Sequence, residues 1–84
     1  MAFNILIVDD ELDIRELVSG ILEDNDYATE VAGGYVEAEQ KIKQKCPNLV
    51  ILDVWLGEGE RDGLRLLELI KRDYAYVPVI MMSG

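Results

Sequence analysis

Three aspartates in this sequence directly follow short apolar runs, and their placement points to chemistry at one edge of a sheet. Asp9 and Asp10 follow the run 4–8, and Asp53 follows the run 49–52. Unbroken Ile, Val and Leu stretches of this length indicate strands covered on both faces, as in the parallel sheets of α/β proteins. Ligands of such sheets bind beyond the carboxyl ends of the strands. Neighbouring strands would bring the three carboxylates together, where they repel one another unless a cation binds. Because Mg²⁺ prefers carboxylate, water and phosphate oxygens, we expect Mg²⁺ as the cofactor.

Strand-like and helix-like segments alternate along the rest of the chain. A first helix is predicted after Asp10 from an apolar stripe of Ile14, Leu17, Val18, Ile21 and Leu22. The predicted strands are 4–8, 27–31, 49–53 and 77–82, and the predicted later helices are 35–45 and 63–72. In the last helix we expect Leu64, Leu67 and Ile70 to face inward, with Leu66 and Leu69 beside them. This order predicts an α/β fold, a doubly wound parallel sheet with right-handed crossovers, as one domain over 1–84.

The composition excludes several classes of function. Among 84 residues, 17 acids and 8 bases give a formal net charge of −9, and histidine is absent. Such a surface repels nucleic acid, so direct DNA binding by this segment is not expected. Without histidine, neither Ser-His-Asp nor Cys-His catalysis is available. The single Cys46 excludes an internal disulfide, which favours a cytoplasmic location, and the sequence predicts neither a secretory signal nor a membrane span.

Four motifs, in order, resemble those of the two-component response regulator receiver domain. They are Ile-Leu-Ile-Val-Asp-Asp-Glu at 5–11, Pro-Asn-Leu-Val-Ile-Leu-Asp at 47–53, Asp-Gly-Leu at 62–64 and Val-Ile-Met-Met-Ser-Gly at 79–84. The resemblance covers essentially the whole chain. It implies a flavodoxin-like (CheY-like) receiver fold, whose strand order in this family is 2-1-3-4-5.

The resemblance also implies a role for each residue that matches a family motif. Asp53 matches the phosphoacceptor, which takes a phosphoryl group from a sensor histidine kinase. Asp10 matches a direct Mg²⁺ ligand, with Asp9 acting beside it, directly or through water. The main-chain carbonyl of Trp55 and the carboxylate of Asp53 would complete the protein ligands. Ser83 matches the hydroxyl that hydrogen-bonds a phosphoryl oxygen. The resemblance also implies that the chain is not an enzyme, although the family promotes its own aspartyl phosphorylation and dephosphorylation.

The loop after Asp53 is longer than in typical receivers. Together with the segment 13–22, its Trp-Leu-containing sequence resembles the receivers of nitrogen-regulation regulators of the NtrX kind. Full-length members of that subfamily carry an ATPase domain and a DNA-binding helix-turn-helix after the receiver. The resemblance therefore implies that the parent protein controls a transcriptional output.

Receivers of this family continue with a helix, a fifth strand and a last helix, and the fifth strand supplies a lysine that binds the phosphoryl group. None of the 8 bases here is predicted at a strand end. We therefore expect a domain truncated after its fourth strand, with weak or no stable phosphorylation. The strand 79–82 would be an uncovered apolar edge, which predicts a homodimer or a domain-swapped oligomer.

The same residues admit other interpretations. Either early aspartate could serve only to cap the first helix, and Ser83 could be a turn residue. Dehalogenase-like phosphatases need a second aspartate where Trp55 stands. A calcium-binding loop needs glycine at its sixth position, where Ile14 or Arg15 stands. A pseudo-receiver, which acts as a dimerisation or interaction module without phosphorylation, stays open as the alternative.

Overall fold

The computed structural model describes residues 3–54, 56 and 62–82, which form seven elements in the predicted alternating order. The strands are β1 (Asn4–Val8), β2 (Ala28–Ala32), β3 (Leu49–Asp53) and β4 (Val79–Met82). The helices are α1 (Leu12–Asp24), α2 (Tyr35–Gln44) and α3 (Asp62–Asp73). None of these helices, in the part of the chain that is described, is long and apolar enough to span a membrane.

The start of β4 differs most from the prediction, which placed it at Val77. The N–H of Val77 instead donates to the carbonyl of Tyr74 at 2.9 Å and closes a turn after α3. Pro78 has no N–H to donate to a strand ladder, although its carbonyl accepts from Val50 at 3.0 Å. The strand therefore begins after the proline.

The sheet confirms the predicted doubly wound arrangement. Its order is β2-β1-β3-β4, and every neighbouring pair is parallel. β1 is flanked on both sides and buried at every position. This central placement explains the apolar run 5–8, because a strand covered on both faces has no solvent side that needs polar residues.

The helices lie on both faces of the sheet. The crossover from β1 to β2 runs in the opposite direction to those from β2 to β3 and from β3 to β4, so right-handed connections put α1 on one face and α2 with α3 on the other. The main core lies between the sheet and this second pair of helices. Its buried members are Leu6, Val8, Ala32, Ala38, Ile42, Val50, Leu52, Leu56, Leu66, Leu69, Ile70 and Val77.

The α1 side of the sheet is less completely covered. α1 packs on β1 and β2, yet no residue of the helix is fully buried. Of its predicted apolar stripe, Leu17 and Ile21 are 60% and 55% exposed, whereas the other members are half-buried. Ile80 pairs with Ile51 in β4 and is 53% exposed on the same side of the sheet. Among the described residues, this face therefore keeps apolar surface in water.

The inward face of α3 corrects one prediction. Leu64 is 43% exposed instead of facing inward, and the buried leucines are Leu66 and Leu69. The buried Gly63 sets this phase because its α-carbon packs against the backbone at the end of β3. With position 63 inward, the helical period places 66 and 70 inward as well, and rotates 64 towards water.

Candidate functional site

The register of the sheet brings the strand-end aspartates to one place. The last β1–β3 pair is Val8 with Leu52, so one further step along both strands sets Asp9 beside Asp53. The N–H of Asp9 also donates to the carbonyl of Ala32 at 3.1 Å, which extends the pairing of β1 with β2 by one residue. These parallel strands thus deliver their carboxyl ends to the same edge.

Asp9, Asp10 and Asp53, here called the acid cluster, can each direct a carboxylate oxygen into one small volume. The three oxygens lie within 4.8 Å of one another. The cluster is graded in burial: Asp9 is 4% exposed, Asp53 is half-buried and Asp10 is exposed. The structure therefore brings together the three acids that the sequence predicted as neighbours, while their individual roles stay predictions.

The effect of burial and of neighbouring charges on the acid cluster is clearest at Asp9. Burial raises the pKa of its carboxyl, because the charged form loses water, and the negative charges of Asp53 and Asp10 raise that pKa further. Two contacts act in the opposite direction and favour the carboxylate. The N–H of Glu11 donates to Oδ1 of Asp9 at 2.9 Å, and Arg15 contributes positive charge.

The donor set of the cluster fits a hard divalent cation. All three side chains offer carboxylate oxygens, which Mg²⁺ and Ca²⁺ prefer, and the chain has no histidine to add a nitrogen ligand. The exposed Asp10 leaves the cluster open to solvent on one side, as Mg²⁺ requires when it keeps several of its waters. A cation bound here would also relieve the mutual repulsion that raises the pKa of Asp9.

The interpretation of Asp9 as only a helix cap is incomplete. The N-cap position of α1 is Glu11, whose own side chain makes no capping bond. Asp9 bonds the backbone of Glu11 ahead of the first helical turn, so its carboxylate orders the β1–α1 turn and also belongs to the acid cluster.

One residue at the site was not predicted from the sequence. Nη1 of Arg15 donates to the main-chain carbonyl of Asp9 at 2.7 Å. A β-carbon on Gly33, in the loop before α2, would stand 3.0 Å from the same nitrogen. The available signal was charge: Arg15 is the single base in α1, a helix that follows an acidic turn.

Gly63 supports the other half of the site. A β-carbon at this position would overlap with the carbonyl oxygens of Asp53 and Val54. The first turn of α3 therefore packs directly on the backbone that carries Asp53. The Asp-Gly step is one of the family motifs, but the sequence did not predict this contact.

Two of the predicted site residues, Trp55 and Ser83, lie outside the described residues. Their described neighbours are well anchored. Leu56 is buried at 1% exposure, and the carbonyl of Met82 accepts from the N–H of Val54 at 3.1 Å. The proposed carbonyl ligand and hydroxyl switch therefore stay predictions.

Comparison with known protein families gives one match that spans nearly the whole chain. The family described as "Response regulator receiver domain" matches residues 5–84. Among curated proteins, the chain is 51% identical over 84 residues to the nitrogen assimilation regulatory protein NtrX of Azorhizobium caulinodans, covering 100% of this chain and 18% of that protein. It is 44% identical over 81 residues to a putative NtrX-like response regulator of Rickettsia bellii, covering 96% of this chain and 17% of that protein.

Solved structures agree with the sequence relatives. The crystal structure of the receiver domain of NtrX from Brucella abortus matches with a TM-score of 0.85 and 49% identity, covering 92% of this chain and 64% of that one. A CheY-like receiver domain from Methanospirillum hungatei matches with a TM-score of 0.93 and 32% identity, covering 100% of this chain and 66% of that one. The chain spans less than one fifth of the length of the first curated relatives.

Proposed function

The chain belongs to the response regulator receiver domain family, whose members are signalling modules of two-component systems, and from this premise we propose that Asp53 is its phosphoacceptor. Within the family it is a receiver of the NtrX-like type. The observation that carries the proposal is the acid cluster, in which the side chain at the end of β3 meets two further carboxylates from the end of β1.

The proposed reaction transfers a phosphoryl group from a sensor histidine kinase. A carboxylate oxygen of Asp53 attacks phosphorus, the P–N bond of the phosphohistidine breaks as the acyl phosphate bond forms, and the imidazole leaves with a proton from solvent. Asp53 suits this role because it is half-buried at a strand end, where its backbone is held by β4 and α3. A rigid backbone keeps the nucleophile oriented, which lowers the entropy cost of the transfer.

The acid cluster by itself disfavours the transfer, because three carboxylates repel an incoming anionic phosphate. Bound Mg²⁺ would supply the positive charge that offsets this repulsion. We propose that Asp9, Asp10, Asp53 and the main-chain carbonyl of Trp55 hold it. Ser83 is proposed to hydrogen-bond a phosphoryl oxygen, since it directly follows Met82, the partner of Asp53 in β4.

For the parent protein, we propose a kinase-controlled transcriptional output in nitrogen regulation. The support is the similarity to NtrX over the receiver alone, so the output itself belongs to the rest of such a protein. Contact with DNA is not assigned to this segment, because its net charge of −9 opposes binding to another polyanion. A cytoplasmic location is part of the same proposal.

A second candidate function is that of an interaction module. We propose that this chain forms a homodimer or a domain-swapped oligomer through β4. The supporting observation is apolar exposure on one face: Ile80 is 53% exposed in β4, which has no strand on its outer side in the described parts of the chain. Such an edge offers both backbone hydrogen-bonding groups and apolar surface to another chain.

The phosphoacceptor proposal is tested with radiolabelled acetyl phosphate and Mg²⁺. The expected yield is small, because none of the lysines in the described residues lies at the end of a strand, so a radiolabel is preferred over a mass shift. Wild type should incorporate label, and Asp53→Ala should not. Asp24→Ala, which removes an exposed carboxylate at the far end of α1, is the matched control and should behave as wild type. Label retained by Asp53→Ala at the level of wild type would refute the assignment.

A further inference from the structure

We propose that Arg15 is a positioning residue, which holds the turn carrying Asp9 and Asp10 in the shape that binds a divalent cation. This inference rests on the proposed function, because it concerns how the same acid cluster is kept in order. Arg15 itself contributes no oxygen ligand, and a guanidinium has no tendency to bind a cation.

Arg15 makes hydrogen bonds at both ends of the β1–α1 turn. Its backbone N–H donates to the carbonyl of Glu11 at 3.1 Å, a bond that begins α1. Its side chain runs back along the turn, and Nη1 donates to the carbonyl of Asp9 at 2.7 Å. The same residue therefore ties the helix start to the strand end.

The orientation of the Asp9 carbonyl, which accepts this bond, affects the path of the turn. This carbonyl belongs to the peptide unit that joins Asp9 to Asp10, so its orientation fixes where the backbone of Asp10 leads. Two further groups of Asp9 make hydrogen bonds: its N–H donates to the carbonyl of Ala32 at 3.1 Å, and its Oδ1 accepts from the N–H of Glu11 at 2.9 Å. Together with the bond from Arg15, these contacts fix the N–H, the carbonyl and one carboxylate oxygen of Asp9, the residue that precedes Asp10.

The loop before α2 leaves room for this side chain. A β-carbon at Gly33 would stand 3.0 Å from Nη1 of Arg15 and 3.6 Å from its Cζ. Such contact is tighter than ordinary van der Waals packing, so the guanidinium would have to shift. The N–H of Gly33 donates to Oε1 of Glu37 at 2.7 Å, which ties this loop to the first turn of α2.

An electrostatic role and a positioning role of Arg15 predict opposite changes in Mg²⁺ affinity when the side chain is removed. A positive side chain near a cation site repels the cation, so an electrostatic role alone predicts that Arg15→Ala binds Mg²⁺ more tightly. A positioning role predicts weaker binding, because the carboxylates lose their fixed arrangement. Outer-shell groups that orient metal ligands typically contribute about 10–100-fold to affinity.

The experiment measures the dissociation constant for Mg²⁺ by isothermal titration calorimetry, at a temperature where thermal unfolding shows every variant to be folded. We expect Arg15→Ala to bind about tenfold more weakly than wild type. Arg15→Lys keeps the charge and a single donor nitrogen, and should recover part of the loss. Arg72→Ala is the matched control, since it also removes one arginine charge from a helix, in the last turn of α3, and should leave the affinity near that of wild type.

A second pair of variants tests the position of the guanidinium without changing any charge. Gly33→Ala should weaken Mg²⁺ binding in the same direction as Arg15→Ala, by displacing the arginine. Gly34→Ala is its neighbour and control, because nothing lies within 4 Å of a β-carbon there and the backbone is extended, with φ of −172°. This pair also tests the positioning role of Arg15 if Arg15→Ala fails to fold.

Each outcome separates this inference from the proposed function. Wild-type binding with equal or tighter binding by Arg15→Ala, or with no difference between Gly33→Ala and Gly34→Ala, overturns the role of Arg15 alone. Absence of Mg²⁺ binding by wild type overturns the metal site and, with it, this inference.

Discussion

The α-carbon of Gly63 lies against the carbonyl oxygen of Asp53, so closely that a β-carbon on Gly63 would overlap with it. This contact joins the first turn of α3 to the end of β3. The same β-carbon would also stand 2.7 Å from the carbonyl carbon of Val54. The backbone that carries the proposed phosphoacceptor is thus clamped between β4, through Met82, and a glycine that leaves no space for a side chain.

Gly63→Ala is expected to destabilise the fold by about 1–3 kcal/mol, the usual cost of forcing extra atoms into a packed region. The backbone atoms it would meet cannot rotate away as a flexible side chain could. Urea unfolding followed by circular dichroism measures the change in free energy. In folded protein, the same substitution should lower phosphoryl incorporation, because the end of β3 must shift.

Gly20→Ala is the matched control for that substitution. Gly20 lies inside α1, and a β-carbon added there would meet nothing within 4 Å, so alanine should stabilise the helix by roughly 0.5–1 kcal/mol. If Gly63→Ala proved as stable as wild type, the close approach of α3 to Asp53 would be contradicted.

Asp9→Asn is expected to stabilise the metal-free protein at neutral pH by about 0.5–2 kcal/mol. Burial first, and then the charges of Asp53 and Asp10, raise the pKa of the Asp9 carboxyl above 3.8 in the folded state. The ionised group is therefore less favourable in the folded protein than in the unfolded chain. Asparagine keeps an oxygen for the N–H of Glu11 but carries no charge.

The pH dependence of that difference follows from the raised pKa. Well below pH 3.8, the carboxyl is protonated in both states, and the two proteins should differ little. As pH rises through the interval between 3.8 and the higher folded-state pKa, wild type loses stability relative to Asp9→Asn, and the gap then stays constant. Urea unfolding in EDTA across this range measures it, with Glu68→Gln on exposed α3 surface as a control of equal charge. A gap that narrows with rising pH would contradict the raised pKa.

Mg²⁺ is expected to stabilise wild type against unfolding, by about 1.4 kcal/mol when free Mg²⁺ is about ten times its dissociation constant. The effect follows from mass action, because the acid cluster exists in the folded state alone. Asp53→Asn should lose most of this stabilisation, and EDTA should reverse it in wild type. Thermal unfolding with and without Mg²⁺ provides the measurement. Equal stabilisation of both proteins would place the cation elsewhere.

Ile80→Lys is expected to weaken self-association of this chain, because a lysine on an edge strand disfavours pairing with another edge. Sedimentation velocity over a range of concentrations should show a dimer or larger species for wild type and a shift towards monomer for the variant. Val36→Lys, which replaces a 65% exposed valine on α2, controls for the added charge. A monomeric wild type at high concentration would refute the association.

The residues of the acid cluster could be found from the sequence because the relevant rules are local. Apolar runs of strand length mark β1 and β3, and the aspartates follow each run directly. Parallel strands that are neighbours must end at the same edge, so a prediction of topology is already a prediction of proximity. The family motifs then assigned a role to each acid.

Other features depended on which segments pack together. The apolar period of α3 allowed Leu64 or Leu66 to face inward, and only the contact of Gly63 with the end of β3 selected Leu66. The exposure of Leu17 and Ile21 likewise reflects how little of α1 is covered in the described residues, which no periodicity in the helix itself can reveal.

The sequence by itself thus determined the order of the elements, the coverage of β1 on both faces and the three acids at strand ends, whereas the central place of β1 followed from the strand order of the family. The tertiary structure decided the hydrogen bond from Arg15 to the carbonyl of Asp9 and the packing of Gly63 on the backbone of Asp53. The physical reason is the distance along the chain over which each feature is decided. Periodicity and strand-end placement depend on residues that are neighbours in sequence. The two contacts depend instead on how α1 and α3 pack against the ends of β1 and β3.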